Sequence, residues 1–91
     1  MTANPVVGNQ SALNQTGSVV VKAAMGRVKK VIVNTAVAGA TLNDCATTGA
    51  AAAGNLIFAI PNSAGIYDVD FPFFNGLTLI GSTGVFAISY D

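Results

Sequence analysis

The sequence predicts an all-β fold: an antiparallel β-sandwich of about seven or eight short strands, jelly-roll or Ig-like, with an extended N-terminal arm. Three observations predict it. Ten glycines punctuate the 91 residues, leaving short apolar runs at roughly 8 to 12 residue spacing, the pattern of a sandwich or barrel. Those runs are rich in β-branched residues, which suit a pleated, half-buried surface. No segment sustains a helical period of apolar residues.

Residues 1–17 carry no alternation and read as the arm; residues 18–91 read as the sandwich domain. Ser18-Val-Val-Val-Lys-Ala23 is the first expected strand, joined through Ala24-Met25-Gly26 to a second, Arg27 to Asn34. Ala40 to Cys45 is a weaker third, and Asn55 to Ile60 a fourth, closed by Pro61-Asn62-Ser63. Between them lies ATTGAAAAG, whose alanines Ala50 to Ala53 are too few to hold a helix alone, so a mobile or draped loop is expected. In Gly65 to Phe71, alternation puts Tyr67, Val69 and Phe71 on one face and Ile66, Asp68 and Asp70 on the other. Pro72, lacking a ladder donor, is expected to end that strand.

Phe73 or Phe74 then closes the end of a thin core, and Asn75-Gly76 turns the chain. In Gly76 to Ile80, Leu77 and Leu79 are expected inside, Thr78 and Ile80 outside. Gly81-Ser-Thr-Gly84 is a hairpin connection by length and residue type. The last strand, Val85 to Tyr90, points Phe86, Ile88 and Tyr90 one way, and Val85, Ala87 and Ser89 the other. That second set is small, suited to exposure or to a close-packed neighbour.

Composition narrows function. Only 9% of residues are charged, against about 25% in an ordinary globular chain, and the net charge is zero. With 52% hydrophobic residues, much of the outside must be neutral, and little self-repulsion holds copies apart. A protein packed against a partner is expected. No apolar run reaches the roughly 20 residues that cross a bilayer, so no membrane span is read. MTANPVVGNQSALNQTG has neither a basic start nor a continuous apolar stretch and does not read as a secretory signal. The single cysteine, Cys45, leaves no pair for an intrachain disulfide and favours a reducing compartment.

Chemistry is scarce. Without histidine the chain lacks the commonest general base and metal ligand. Cys45 has no imidazole to activate it and reads as a small packed residue near a strand end. Asp68 and Asp70 sit side by side, about 6.5 to 7 Å apart along a strand, rather than opposed across a cleft as glycoside hydrolysis requires. A solvated edge is the expected reading, and whether Asp44, Asp68 and Asp70 together hold a cation stays open. Arg27, Lys29 and Lys30 crowd three positive charges into four residues. Without a basic excess or interleaved aromatics they do not read as a nucleic-acid stripe. They read as guards of a strand edge, or as a contact for an acidic partner. No enzyme activity, cofactor or metal is expected.

The order of several pieces resembles a family: the small β-sandwich virion proteins of tailed bacteriophages. The pieces are Gly26-Arg27-Val28 opening a strand that ends Ile32-Val33-Asn34, then Ala40-Thr41-Leu42 followed by Asp44, and Gly54-Asn55-Leu56-Ile57. Phe71-Pro72-Phe73-Phe74-Asn75-Gly76-Leu77, Gly84-Val85 and Tyr90 complete the set. The loop Ala50 to Ala53 and the pair Phe73-Phe74 depart from the family's pattern. The resemblance implies a capsid decoration or cement subunit on the capsid exterior of the virion, present in the host cytoplasm during assembly. It also implies binding to a major capsid protein or another virion protein, and a homo-oligomer with a trimer favoured. It is equally compatible with a tail, neck or head-fibre-base component, while Tyr67, Tyr90 and the loops would suit a carbohydrate- or receptor-binding module. The interface candidates are Val6, Val7 and Leu13 in the arm, Arg27, Lys29 and Lys30, and the apolar Phe74 and Ile80.

Overall fold

Most of the strands form where β-branched and aromatic runs lie between the glycines. The computed structural model describes residues 10–81 and 83–91. They make eight strands: β1 (Gln10–Gln15), β2 (Val19–Lys22), β3 (Gly26–Thr35), β4 (Thr41–Asn43), β5 (Leu56–Ala59), β6 (Gly65–Phe73), β7 (Leu77–Ile80) and β8 (Val85–Tyr90). One sheet has the order β1-β8-β3-β6 and the other β2-β7-β4-β5, every pairing being antiparallel.

Four of the ladders join strands whose numbers add to nine: β1 with β8, β2 with β7, β3 with β6, and β4 with β5. The chain is therefore one antiparallel ribbon, doubled back between β4 and β5. It is then rolled so that β3 also meets β8 and β4 also meets β7. That is a jelly roll, which settles the choice between the two expected sandwich types. Rolling brings the apolar faces together. Val28, Val31, Val33, Phe86 and Ile88 of one sheet meet Leu42, Leu77 and Leu79 of the other, all essentially inaccessible.

The structure departs from the sequence expectations at several places. Residues 10–15, read as arm, form β1 and pair with β8, so the sandwich begins before residue 18. Residues 1–9, with Val6 and Val7, lie outside the described residues. Pro72 does not end its strand; β6 runs on to Phe73. Because β6 is an edge strand, a residue without an N–H is tolerated there. Phe71 is 52% exposed rather than sharing the burial of Tyr67 and Val69. The alternation breaks at Asp70, whose φ of 45° accompanies an extra residue in β6 between the pairs Lys30–Asp68 and Val28–Phe71.

Thr78 is fully buried instead of facing solvent. Its hydroxyl donates to the Cys45 carbonyl at 2.8 Å, in the segment that leaves β4 and crosses the outer side of β7. The Ala50 to Ala53 loop is draped, as expected, but it is pinned rather than mobile. The short 3-10 turns Thr48–Ala50 and Ala53–Asn55 are tied by two asparagines. Asn43 Nδ2 donates to the Ala52 carbonyl (3.1 Å) and to Asn55 Oδ1 (2.9 Å). Asn55 Nδ2 in turn donates to the Ala50 carbonyl at 2.9 Å.

Candidate functional site

The turn after β6 shows the most deliberate local construction. Phe73 is buried and plugs the end of the core, whereas the next residue, Phe74, is 67% exposed. The turn is held by a residue thirty positions earlier. The Asp44 carboxylate accepts from the backbone N–H of Phe74 (3.0 Å to each oxygen), Asn75 (2.7 Å) and Gly76 (3.3 Å). Burial pushes the Asp44 carboxyl upward, but the three backbone N–H donors outweigh it and hold the group below the usual carboxylate range. Gly76 lets this happen, because a Cβ there would stand 2.6 Å from the Cys45 carbonyl oxygen and 2.7 Å from that of Lys22. Phe74 is thus an exposed ring on an immobilised turn. Met25, in the connection between β2 and β3, is 65% exposed at the same end, since Gly26 pairs with Phe73.

The charged candidates are close by and mutually paired. Arg27 Nη1 lies 3.2 Å from Asp70 Oδ1, Lys29 Nζ 3.7 Å from the same oxygen, and Lys30 Nζ 3.8 Å from Asp68 Oδ1. β3 lies between β8 and β6, so these cations do not guard an edge strand as expected; the edge is β6, which carries their aspartates. All three pairs are solvent-exposed and contribute at most about 1 kcal/mol each. Asp68 and Asp70 are occupied by cations and Asp44 by amides. Among the described residues no three His, Cys, Asp or Glu side chains gather as a metal site.

Leu13 and Ile80 lie elsewhere. Ile80 lines a cleft of about 250 Å³ on the outer side of the second sheet, with Thr41, Asn43, Leu56 and the pinned alanines. Its polar floor is already engaged, Thr41 Oγ1 donating to Asn43 Oδ1 at 2.8 Å. Leu13, 68% exposed, stands on the outer face of the first sheet. Across β8 from it lie Ile32 and Lys30, and the small residues Ala87 and Ser89 form the floor of a trough of about 110 Å³ between the two sides.

Comparison with protein-family models, with curated proteins and with solved structures finds no match. The resemblance to phage virion proteins therefore stands on the quoted residues alone.

Two of the residues offered for ligand binding are committed to the fold. Tyr67 packs against Phe58 with ring centroids 6.2 Å apart and donates its hydroxyl to the Ser63 carbonyl at 2.7 Å. Tyr90 is half-buried against the core. Cys45 is buried, its thiol donating to the Thr47 carbonyl. The sequence reading missed Asp44 as organiser of the turn and Met25, Ile32 and Ile66 as exposed or outward apolar residues. The Ile66 signal was present, since alternation had set it beside Asp68 and Asp70. For Asp44 the only signal was an acid before a buried cysteine, which says nothing of a partner thirty residues on.

Proposed function

We propose that the chain is a structural virion protein, a decoration or cement subunit that binds the outer surface of a phage head and stabilises the assembled lattice. The observation that carries this reading is Phe74: a large aromatic side chain, mostly exposed, on a turn whose three amides are all held by one carboxylate. An aromatic anchor fixed before binding loses little entropy on docking, the property that lets a few residues dominate an interface. Met25 extends the apolar contact, and the Arg27, Lys29, Asp70 cluster beside it supplies orientation more than affinity.

Two further features support a structural role. Jelly rolls recur in viral capsid domains, though a fold alone assigns no function. Every titratable side chain that sequence reading considered for catalysis is engaged in the fold or in an ion pair. A subunit that binds only the assembled lattice stabilises it by mass action over many equivalent sites.

The test is attachment to purified particles. Wild-type chain should add back to particles stripped of it, in many copies per head. Phe74→Ala should weaken attachment by at least about 2 kcal/mol, the scale of a hot-spot truncation, while its thermal midpoint stays near wild type because the ring is exposed. Attachment in only a few copies at one vertex would move the chain to the tail, neck or fibre base. Finding none of the protein in particles would sink every virion assignment.

A further inference from the structure

The outer face of the β1-β8-β3-β6 sheet has a pattern that the virion reading does not use. Its register sets Ile32 of β3 opposite both Ala87 of β8 and Ile66 of β6. On the far side of β8, Ala12 pairs with Ile88 and Gln15 with Phe86, so Leu13 and Asn14 together face Ala87 across a bulge, Asn14 having a φ of 54°. One apolar row therefore crosses all four strands in the order Leu13, Ala87, Ile32, Ile66. Its ends are the most exposed, Leu13 at 68% and Ile66 at 67%. Beside it runs a polar row in the same strand order: Ser11, Ser89, Lys30, Asp68.

We propose that this face is a two-fold interface with a second copy of the chain, its symmetry axis running along the strand direction between β8 and β3. Such an axis lays each row on itself in reverse. In the apolar row Leu13 then faces Ile66 of the other copy at both ends, and in the middle Ile32 faces Ala87 twice. Each isoleucine enters the trough that the small residues of β8 leave between Leu13 and Ile32. In the polar row Lys30 falls opposite Ser89 and Asp68 opposite Ser11, so no charge meets a like charge. An axis along the row would instead stack Ala87 on Ala87, Ile32 on Ile32 and Leu13 on Leu13, leaving a gap over β8 and crowding over β3.

Large meets small only in the first arrangement, and there no like charges face each other. It matches the self-complementary patch that a two-fold interface requires, and sheets stacked face to face are an ordinary packing mode. The occupant is thus a dimer partner, where the virion resemblance implies a trimer. The pairing is read from the strand register and is independent of the lattice-binding role of Phe74.

Sedimentation equilibrium of the full chain over a concentration series tests it. The expected species is twice the 9.1 kDa chain mass, 18.2 kDa. Ile66→Lys, at an exposed position, should keep the wild-type far-UV spectrum and thermal midpoint while raising the dimer dissociation constant at least about tenfold. Ala87→Leu, which fills the trough, should do the same. Geometry is read separately by oxidative cross-linking: Leu13→Cys mixed with Ile66→Cys should give a disulfide-linked pair, and Leu13→Cys alone should not. A chain that stays monomeric at high concentration, a trimer mass, an unaffected Ile66→Lys dimer or cross-linking by Leu13→Cys alone would each overturn the proposal. If dimerisation fails while Phe74→Ala still weakens particle attachment, the lattice reading survives; the opposite pair of results would remove that reading and leave the dimer.

Discussion

Removing the Asp44 carboxylate tests how the Phe74 turn is held. Asp44→Ala deletes every side-chain acceptor for three backbone donors, at 2.7 to 3.3 Å. The amides of Phe74 and Asn75 lie at exposed positions and regain water, so each costs only the net worth of its bond, about 0.5 to 1.5 kcal/mol. Gly76 is buried, and stranding its amide costs about 1 to 3 kcal/mol. The expected total is about 2 to 4 kcal/mol, less than the sum of the upper bounds because the three bonds share one carboxylate. For a domain of this size, at about 4 to 8 °C per kcal/mol, that lowers the thermal midpoint by about 8 to 32 °C.

Circular dichroism melts across pH give the second half of the test. The folded-state pKa of Asp44 lies below its ordinary value of 3.8. A depressed carboxyl pKa adds stability that is present above the unfolded-state value and is lost as pH falls through the folded one. The gap between wild type and Asp44→Ala should therefore be full at pH 7 and narrow below pH 3.8. Asp44→Asn, which keeps one acceptor oxygen but no charge, should fall between the two and show a weaker pH dependence. An Asp44→Ala midpoint within about 3 °C of wild type, or a gap that is the same in acid as at neutrality, would refute the assignment.

Two other outcomes follow from the structure. Asn43→Ala removes the amide that holds the draped loop to β4, and with Asn43 only 3% exposed it should cost about 2 to 4 kcal/mol. Faster amide exchange should then be confined to residues 48–55, and uniform acceleration over the whole chain would contradict the pinning. Asp68→Asn with Asp70→Asn should shift stability by under about 1 kcal/mol per pair, read by urea unfolding at low and high salt. A larger loss would mean that the charged row on β3 and β6 holds the sheet together.

Most strands were legible because burial on one face imposes a period that the residues carry themselves. Val28 to Val33 and Val85 to Tyr90 show it plainly, even though a bulge at Lys29 brings Val28 and Val31 to the same side. β1 was not legible: Gln-Ser-Ala-Leu-Asn-Gln is an edge strand that leaves only Ala12 against the core, so its composition matches a free arm. The burial of Thr78 was hidden for another reason. Its cover is a separate segment of chain, and strand periodicity reports which way a side chain points, not what lies above it. The site was less legible than the fold. Phe74 and Leu13 could be picked from their residue type, but the clamp by Asp44 and the reversible row Leu13, Ala87, Ile32, Ile66 exist only once distant segments are paired in register.

The nested ladders also set the order in which this protein can be completed. β4 and β5 are close along the chain and can meet early, whereas β1, the first described strand to leave the ribosome, pairs only with β8, the last. Among the described residues β1 has no neighbour to join during synthesis until Val85 to Tyr90 has emerged. β8 is moreover the strand that connects β1 to β3. A chain cut short before it loses two strands of one sheet at once, leaving the backbone N–H and C=O groups along one edge of β3 unpaired and open to other nascent chains. Completion of β8 is thus a condition for closing the first sheet, a kind of proofreading built into the topology.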